Sequence, residues 1–153
     1  MSKITTRPLN PEEQATLDGA TAWVNELLEK EFKTKVRLTG TREDIPNLHT
    51  MLSEGPYTED PNAELTTFGI VFGKVIAREI PMRWVVYRDE QGTDFALQHG
   101  NLELFVFPCD LLIKRVEAGE DINEINLEEM LENLRIALAE EAAKAAKQSD
   151  RDS

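Results

Sequence analysis

The sequence predicts an α+β domain in which a three-stranded antiparallel β-meander packs against helices, with a long helix near each end of the chain. Changes in hydrophobic periodicity support this class. Apolar residues recur at helical spacing before Pro81 and after Pro108, whereas they alternate with a period of two between Met82 and Phe107. One block of strands flanked by helices is typical of α+β domains.

The first helix has a complete start signal. Asn10 stands at the N-cap, Pro11 at the first helical position, and Glu13 at the third, which predicts a capping box. The apolar stripe that follows extends to about Phe32. The next segment, TREDIPNLHTMLSE, predicts a shorter helix or a helical turn interrupted by Pro46, and GPYTEDPN is predicted to be a loop.

A third helix, opened by an Asp60-Pro61 start signal, is the most apolar segment of the chain. Apolar residues lie on more than one of its sides, which predicts that it is the central, buried helix. Small residues recur every four positions at Gly69, Gly73 and Ala77. This spacing predicts a groove into which a neighbouring strand or helix packs closely, or else a face for homodimerisation.

The central block predicts the meander itself. Two strands flank the polar connection Asp89–Gly92, in which the glycine is expected to adopt the left-handed αL conformation. A turn at His99–Asn101 leads to LELFVF, the third predicted strand. Trp84 lies on the more apolar face of the first strand, so we expect it in the core. The segment CDLLIKRVEAGE then predicts a helix closed by Gly119.

The last helix, NLEEMLENLRIALAEEAAKAAK, has one apolar face, as helical periodicity requires. That face comprises Leu127, Met130, Leu131, Leu134 and Leu138. The Ala-, Glu- and Lys-rich end is expected to fray. Residues 1–147 are therefore predicted to form one domain, and residues 148–153 a disordered tail.

Charge and composition narrow the functional classes. A net charge of −12 argues against binding to nucleic acid or to an anionic membrane, because both need clustered Lys and Arg. The chain has no apolar run near the roughly 20 residues that span a bilayer, and its N-terminus lacks a signal-peptide core, so we expect a cytoplasmic protein. From Glu117 onward there are eleven Asp and Glu against four Lys and Arg. Such acidity either solvates a helix or attracts a basic protein partner.

The hairpin carries the candidate binding residues. Asp89, Glu90 and Asp94 have a sufficient structural role at a turn, whereas general acid–base chemistry would need one of them to be buried. Tyrosine and arginine often dominate protein interfaces, which draws attention to the neighbouring side chains. The predicted binding residues are Arg83, Tyr87, Arg88, Asp89, Glu90 and Asp94.

The lone cysteine, Cys109, is the candidate nucleophile, because a helix N-terminus can lower the pKa of a thiol. Catalysis would also need a base, which would be His49 or His99. The sequence contains no zinc motif, EF-hand, phosphate-binding glycine loop or nucleophile elbow. We therefore predict no catalytic residue, no cofactor and no metal.

Lys114 and Arg115 are two adjacent basic residues in this acidic chain. On a helix they are expected to form structural ion pairs. The expected partners are Glu117 or Glu120 on the same segment, or Asp94 across the hairpin.

A longer stretch, from about Leu65 to Glu120, resembles a known family. Its three segments, FGIVFGKVIAREI, MRWVVYRDEQGTDFAL and LFVFPCDLLIKRVEAGE, are similar to those of the domain of unknown function 3806 family. The resemblance implies a bacterial source and no established activity, so it supplies no catalytic residue. Tyr87 and Arg88 stand where the family pattern has more aliphatic or acidic residues.

Three functional hypotheses follow. The leading one is a non-enzymatic protein-interaction module, immunity-like or regulatory, whose acidic surface meets a basic partner. The alternative is a small-molecule-binding protein or an enzyme that uses Cys109, a histidine and the hairpin carboxylates. A homodimer through the glycine face or an exposed sheet edge is the third.

Overall fold

The computed structural model describes residues 3–54 and 61–152 of the 153-residue chain. These residues form an α+β fold in which a four-stranded antiparallel sheet, ordered β1-β2-β3-β4, packs against helices. The elements are β1 (Thr5–Arg7), α1 (Pro11–Lys30), α2 (Asp44–Glu54), α3 (Asn62–Glu79), β2 (Met82–Asp89), β3 (Gly92–His99), β4 (Phe105–Val106), α4 (Pro108–Glu117), a 3₁₀ turn (Ile122–Glu124) and α5 (Leu127–Asp152).

Strand β1 is the main departure from the predicted meander, which had three strands. Its residues Thr5–Arg7 pair with Val86–Arg88 at the edge of the sheet. The strand is only three residues long and fully exposed, so no apolar alternation marks it in the sequence. The guanidinium of Arg7 anchors it by donating to both carboxylate oxygens of Glu13, at 2.7 and 2.8 Å.

The capping box of α1 is confirmed. The Glu13 amide donates to Asn10 Oδ1 at 2.8 Å, and the Asn10 amide donates to Glu13 Oε1 at 2.9 Å. The hydrogen bond from Arg7, followed by that from the Asn10 amide, lowers the pKa of Glu13 to about 2. The helix ends at Lys30, two residues before the predicted end at Phe32.

Helix α2 is continuous, because Pro46 lies in its first turn, where a missing amide hydrogen costs nothing. Buried Asp44 accepts hydrogen bonds from the Thr39 and Gly40 amides, both at 2.8 Å. Most of the predicted loop GPYTEDPN, together with Asp60 of the predicted start signal, lies outside the described residues. The structure places Pro61 at the N-cap of α3.

The groove predicted on α3 is confirmed, and α4 fills it. A Cβ atom on Gly69 would overlap the carbonyl oxygen of Pro108, and one on Gly73 would lie 2.7 Å from Pro108 Cβ and 2.9 Å from Trp84 Cη2. Trp84 packs against the core, as expected. Since the first turn of α4 covers both glycines, homodimerisation through them would require α4 to move away.

Two details of the meander differ from the prediction. Asp89 pairs with Gly92, so the hairpin loop has two residues, and Gly92 has φ of +142°, which favours glycine but lies outside the αL region. The third predicted strand, LELFVF, is reduced to Phe105–Val106. The turn that precedes it is confirmed, with Gly100 at φ of +60°.

The C-terminal helices follow the predicted pattern. Gly119, with φ of +102°, follows α4, and Arg115 pairs with Glu120 at 2.7 Å. The predicted apolar face of α5 is buried at Leu127, Met130, Leu131 and Leu138, and Leu134 packs against the core. Helix α5 continues to Asp152, and disorder of residues 148–153 in solution stays a prediction.

Candidate functional site

The outer face of the sheet carries a second, smaller apolar cluster. Val85 and Ala96, which pair across β2 and β3, are 3% and 0% exposed but lie outside the main core. Tyr87 packs nearby, with ring centroids 5.0 Å from Phe105 and 4.9 Å from Phe107. The Tyr87 and Phe107 rings meet at 90°. Phe107, predicted as the last residue of the third strand, instead lies at the N-cap of α4.

A pocket of about 390 Å³ opens beside this cluster at the tip of the hairpin. Its principal lining residues are Tyr87, Asp89 and Asp94 of the hairpin and Phe107, Asp110 and Lys114 of the segment after β4. They meet because β4 pairs only with Leu97 and Gln98. The chain therefore leaves the sheet opposite Leu97, short of the hairpin tip, and α4 begins at Pro108.

Hydrogen bonds fix the two hairpin carboxylates. Tyr87 Oη donates to Asp89 Oδ2 at 3.1 Å, and the Gln91 amide donates to Asp89 Oδ1 at 2.8 Å. The Phe95 amide donates to Asp94 Oδ1 at 2.7 Å. Asp89 is therefore held through both oxygens and Asp94 through one.

The side chains that line the pocket carry more negative than positive charge. Burial raises the pKa of Asp94, and the nearby Asp110 raises it further, while the Phe95 amide and Lys114 act in the opposite direction. Burial also raises the pKa of Tyr87, and its hydrogen bond to Asp89 adds to this effect. At neutral pH a carboxylate that is partly removed from water is stabilised by a nearby cation, so the arrangement suits a positively charged ligand.

Cys109 is a poor nucleophile in this fold. Burial, followed by the charges of Asp94 and Asp110, raises the pKa of its thiol from 9.0 to about 12. His99 lies five positions along β3 from Asp94, which is roughly 16 Å in an extended strand. His49 is on α2, away from the hairpin pocket. Residues 3–54 and 61–152 contain no group of three or more His, Cys, Asp or Glu side chains arranged to hold a metal ion.

The structure brings only some of the predicted binding residues together. Tyr87, Asp89 and Asp94 line the pocket, whereas Glu90 is exposed in the loop outside it. Arg88 lies on the other face of the sheet, since side chains alternate along a strand. Arg83 lies at the far end of β2, where it donates to Gln98 Oε1 at 3.1 Å and Asn101 Oδ1 at 3.4 Å.

Sequence reasoning missed Phe107 and Asp110 as pocket residues. The ion pair predicted for Lys114 is wrong within the described residues: Lys114 lines the pocket together with Asp94 but forms no ion pair within 4.0 Å, whereas Arg115 does pair with Glu120. Pro108 was the available signal, because a proline at the first position of a helix fixes where the chain turns away from the sheet. Predicting the position of α4 also requires the length of β4, and the predicted third strand is longer than the observed one.

A comparison with family models matches residues 44–127, more than half of the chain, to the Domain of unknown function (DUF3806). The chain belongs to the DUF3806 family. The matched region of this DUF3806 chain runs from α2 to the start of α5 and contains every principal residue of the pocket. It confirms the resemblance found over residues 65–120 and leaves β1, α1 and nearly all of α5 outside the family match.

The fold is similar to that in a crystal structure of a protein from Bacteroides thetaiotaomicron VPI-5482. The TM-score is 0.69 and the sequence identity 18%, and the match covers 85% of this chain and 48% of that one. This DUF3806 chain thus spans about half the length of that protein, and the likeness shows the fold alone. No curated protein matches the sequence. Among the described residues, no helix is both long and apolar enough to cross a bilayer.

Proposed function

We propose that this DUF3806 chain is a non-enzymatic, cytoplasmic protein-interaction module, regulatory or immunity-like, whose hairpin pocket binds a basic segment of a partner protein. One observation carries the proposal. Among the described residues, three carboxylates, those of Asp89, Asp94 and Asp110, come from two separate elements and line one concave surface with a single cation, Lys114.

The surroundings of the carboxylates favour a protein partner. Tyr87 and Phe107 supply aromatic contact area beside the acids, and aromatic residues are enriched where proteins bind each other. The net charge of −12 repels phosphate-bearing ligands and accelerates encounters with basic proteins. A bacterial source remains what the family resemblance implies.

The enzymatic alternative has weaker support. A thiol whose pKa is about 12 stays protonated near neutral pH, so Cys109 lacks the thiolate that nucleophilic catalysis needs. Neither histidine lines the hairpin pocket. The same pocket has the volume of a small-molecule site, so a free organic cation is the ligand against which the protein partner must be tested.

The test compares two variants with the same change in net charge. In the pocket variant, Asp89, Asp94 and Asp110 become asparagine, which preserves their size. In the control variant, three exposed glutamates outside the pocket, Glu124, Glu129 and Glu140, become glutamine. Binding of a synthetic Lys/Gly dodecapeptide is measured by calorimetry at about 20 mM and about 300 mM salt, where screening differs strongly.

We expect the wild-type chain and the control variant to bind the peptide at low salt and to lose affinity at high salt. The pocket variant should bind at least about tenfold more weakly than the control variant at low salt, a difference of about 1.4 kcal/mol. Equal losses in the two variants would show that net charge alone attracts the peptide, and would contradict the proposed site.

A further inference from the structure

We infer that the corner between the Tyr87 and Phe107 rings receives the cationic end of one lysine or arginine side chain of the partner, and that Lys114 competes with that group for the pocket. The inference rests on the proposed function and deepens it. It specifies the chemical group recognised and a residue that limits affinity.

Two aromatic side chains form walls of the pocket. The Tyr87 and Phe107 rings both line the pocket and stand at 90°, with centroids 4.9 Å apart. Phe105 supports them from the sheet, 5.0 Å from Tyr87 and 6.5 Å from Phe107. A cation within about 6 Å of a ring centroid is attracted to the ring face. Two perpendicular rings therefore define a position for one cationic group rather than for an extended charged surface.

The carboxylate oxygens of the pocket differ in how many hydrogen bonds they already accept. Both oxygens of Asp89 already accept hydrogen bonds, from Tyr87 Oη and from the Gln91 amide. In the described part of the chain, Asp94 accepts a hydrogen bond only through Oδ1. Asp94 Oδ2 and the carboxylate of Asp110 are thus left to accept N–H groups from a ligand, so the aromatic corner has acceptors beside it.

Lys114 is a cationic side chain that lines the pocket. It follows Asp110 by one helical turn on α4, so both side chains project from the same side of the helix toward the pocket. Within the described residues Lys114 forms no ion pair shorter than 4.0 Å, and its side chain is exposed. It therefore lowers the negative potential of the pocket without being fixed there, and an incoming cation must displace it or tolerate its charge.

The test uses the full chain and a minimal probe, n-butylammonium, with neutral n-butanol as its uncharged counterpart. Both are titrated at constant ionic strength while the amide and aromatic NMR resonances are followed. We expect saturable shifts of Tyr87, Phe107 and Asp94 with n-butylammonium and no saturable shift with n-butanol. Replacing Phe107→Leu should weaken n-butylammonium binding by about two- to fivefold, the worth of one exposed cation–π contact.

Charge variants keep the test independent of aromatic packing, because Phe107→Leu can also disturb the fold. Asp94→Asn should weaken n-butylammonium binding, whereas Lys114→Gln should strengthen it by about two- to fivefold, comparable to one exposed ion pair. Lys114→Arg, which keeps the charge, should bind like wild type. Lys147→Gln removes one exposed positive charge on α5 that does not line the pocket, and it should also leave the affinity unchanged.

The outcomes separate this inference from the proposed function. If n-butanol causes the same shifts as n-butylammonium, or if neither probe binds, the cation corner is wrong even where the dodecapeptide still distinguishes the pocket variant from its control. If Lys147→Gln strengthens binding as much as Lys114→Gln, the competing role of Lys114 is wrong. If n-butylammonium binds but the dodecapeptide does not, the pocket binds a free amine, and the inference that the cation belongs to a partner protein is wrong.

Discussion

Pro108 lies directly against Gly73, so that a Cβ atom added to the glycine would approach Pro108 Cβ to 2.7 Å. This contact seats the first turn of α4 on α3. The first turn of α4 also carries Asp110, and Phe107 immediately precedes this helix. Both residues therefore reach the hairpin tip. The glycine spacing of a buried helix therefore places half of the candidate binding pocket.

Substituting the α3 glycines should destabilise the fold. Gly69→Ala forces a methyl group into the Pro108 carbonyl oxygen, and backbone atoms cannot step aside as a flexible side chain can. We expect a loss of about 1–3 kcal/mol in the free energy of unfolding, measured by urea denaturation. Gly73→Ala should act in the same direction through the Pro108 ring and Trp84.

Gly19 on α1 is the matched control. It is also helical, but a Cβ atom there would meet nothing within 4 Å. Gly19→Ala should therefore stabilise the chain by up to about 1 kcal/mol, because alanine is the better helix former. A stabilising effect of Gly69→Ala would contradict the close approach of α4.

The Arg7–Glu13 pair should make stability depend on pH. The pKa of Glu13 is lowered from 4.5 to about 2 in the folded chain, so the stabilisation is present above pH 4.5 and is lost as the pH falls toward about 2. Glu13→Gln should lower the urea midpoint near neutral pH, and the difference from wild type should shrink across that acidic window. Glu12→Gln, one residue earlier in the same turn, is the control. An equal effect of both substitutions would point to the helix dipole instead.

Cys109 should react slowly. Because its pKa is raised from 9.0 to about 12, the folded chain holds far less thiolate at mildly alkaline pH than the unfolded chain. We expect labelling by a chromogenic disulfide to be at least about 100-fold slower in the native protein than in urea, since only the thiolate attacks. Labelling at the unfolded rate would revive Cys109 as a nucleophile.

Asp94→Asn should raise stability near neutral pH. The pKa of Asp94 is raised above 3.8 in the folded chain, so the protonated form is favoured and the stability associated with it is lost as the pH rises through the folded value. Asparagine removes the penalised charge and keeps the oxygen that accepts from the Phe95 amide. Urea midpoints should therefore increase near pH 7, and the gain should vanish below pH 3.8.

Glu90→Gln is the control for Asp94→Asn, because it removes one charge from the exposed loop of the same hairpin. It should leave the urea midpoint nearly unchanged. If both substitutions stabilise the chain equally, relief of the overall negative charge is the cause, and the local environment of Asp94 is not.

Local signals allowed much of the fold to be predicted. The capping box at Asn10, the buried glycine-bearing helix, the β2–β3 hairpin and the glycine after α4 all depend on neighbouring residues and are present in the structure. The α+β class followed from these signals. Strand β1 was missed because an exposed strand of three residues has no apolar pattern, and its position depends on Arg7 reaching Glu13.

The candidate pocket could be predicted only in part. The sequence by itself determined the hairpin and therefore the proximity of Tyr87, Asp89 and Asp94, because register within a hairpin follows from periodicity and a short turn. Only the tertiary structure brought Phe107, Asp110 and Lys114 to them. That meeting depends on where β4 ends and on Pro108 filling the groove at Gly69 and Gly73. The glycine spacing predicts the groove, but the residue that fills it is distant along the chain and is decided by tertiary packing.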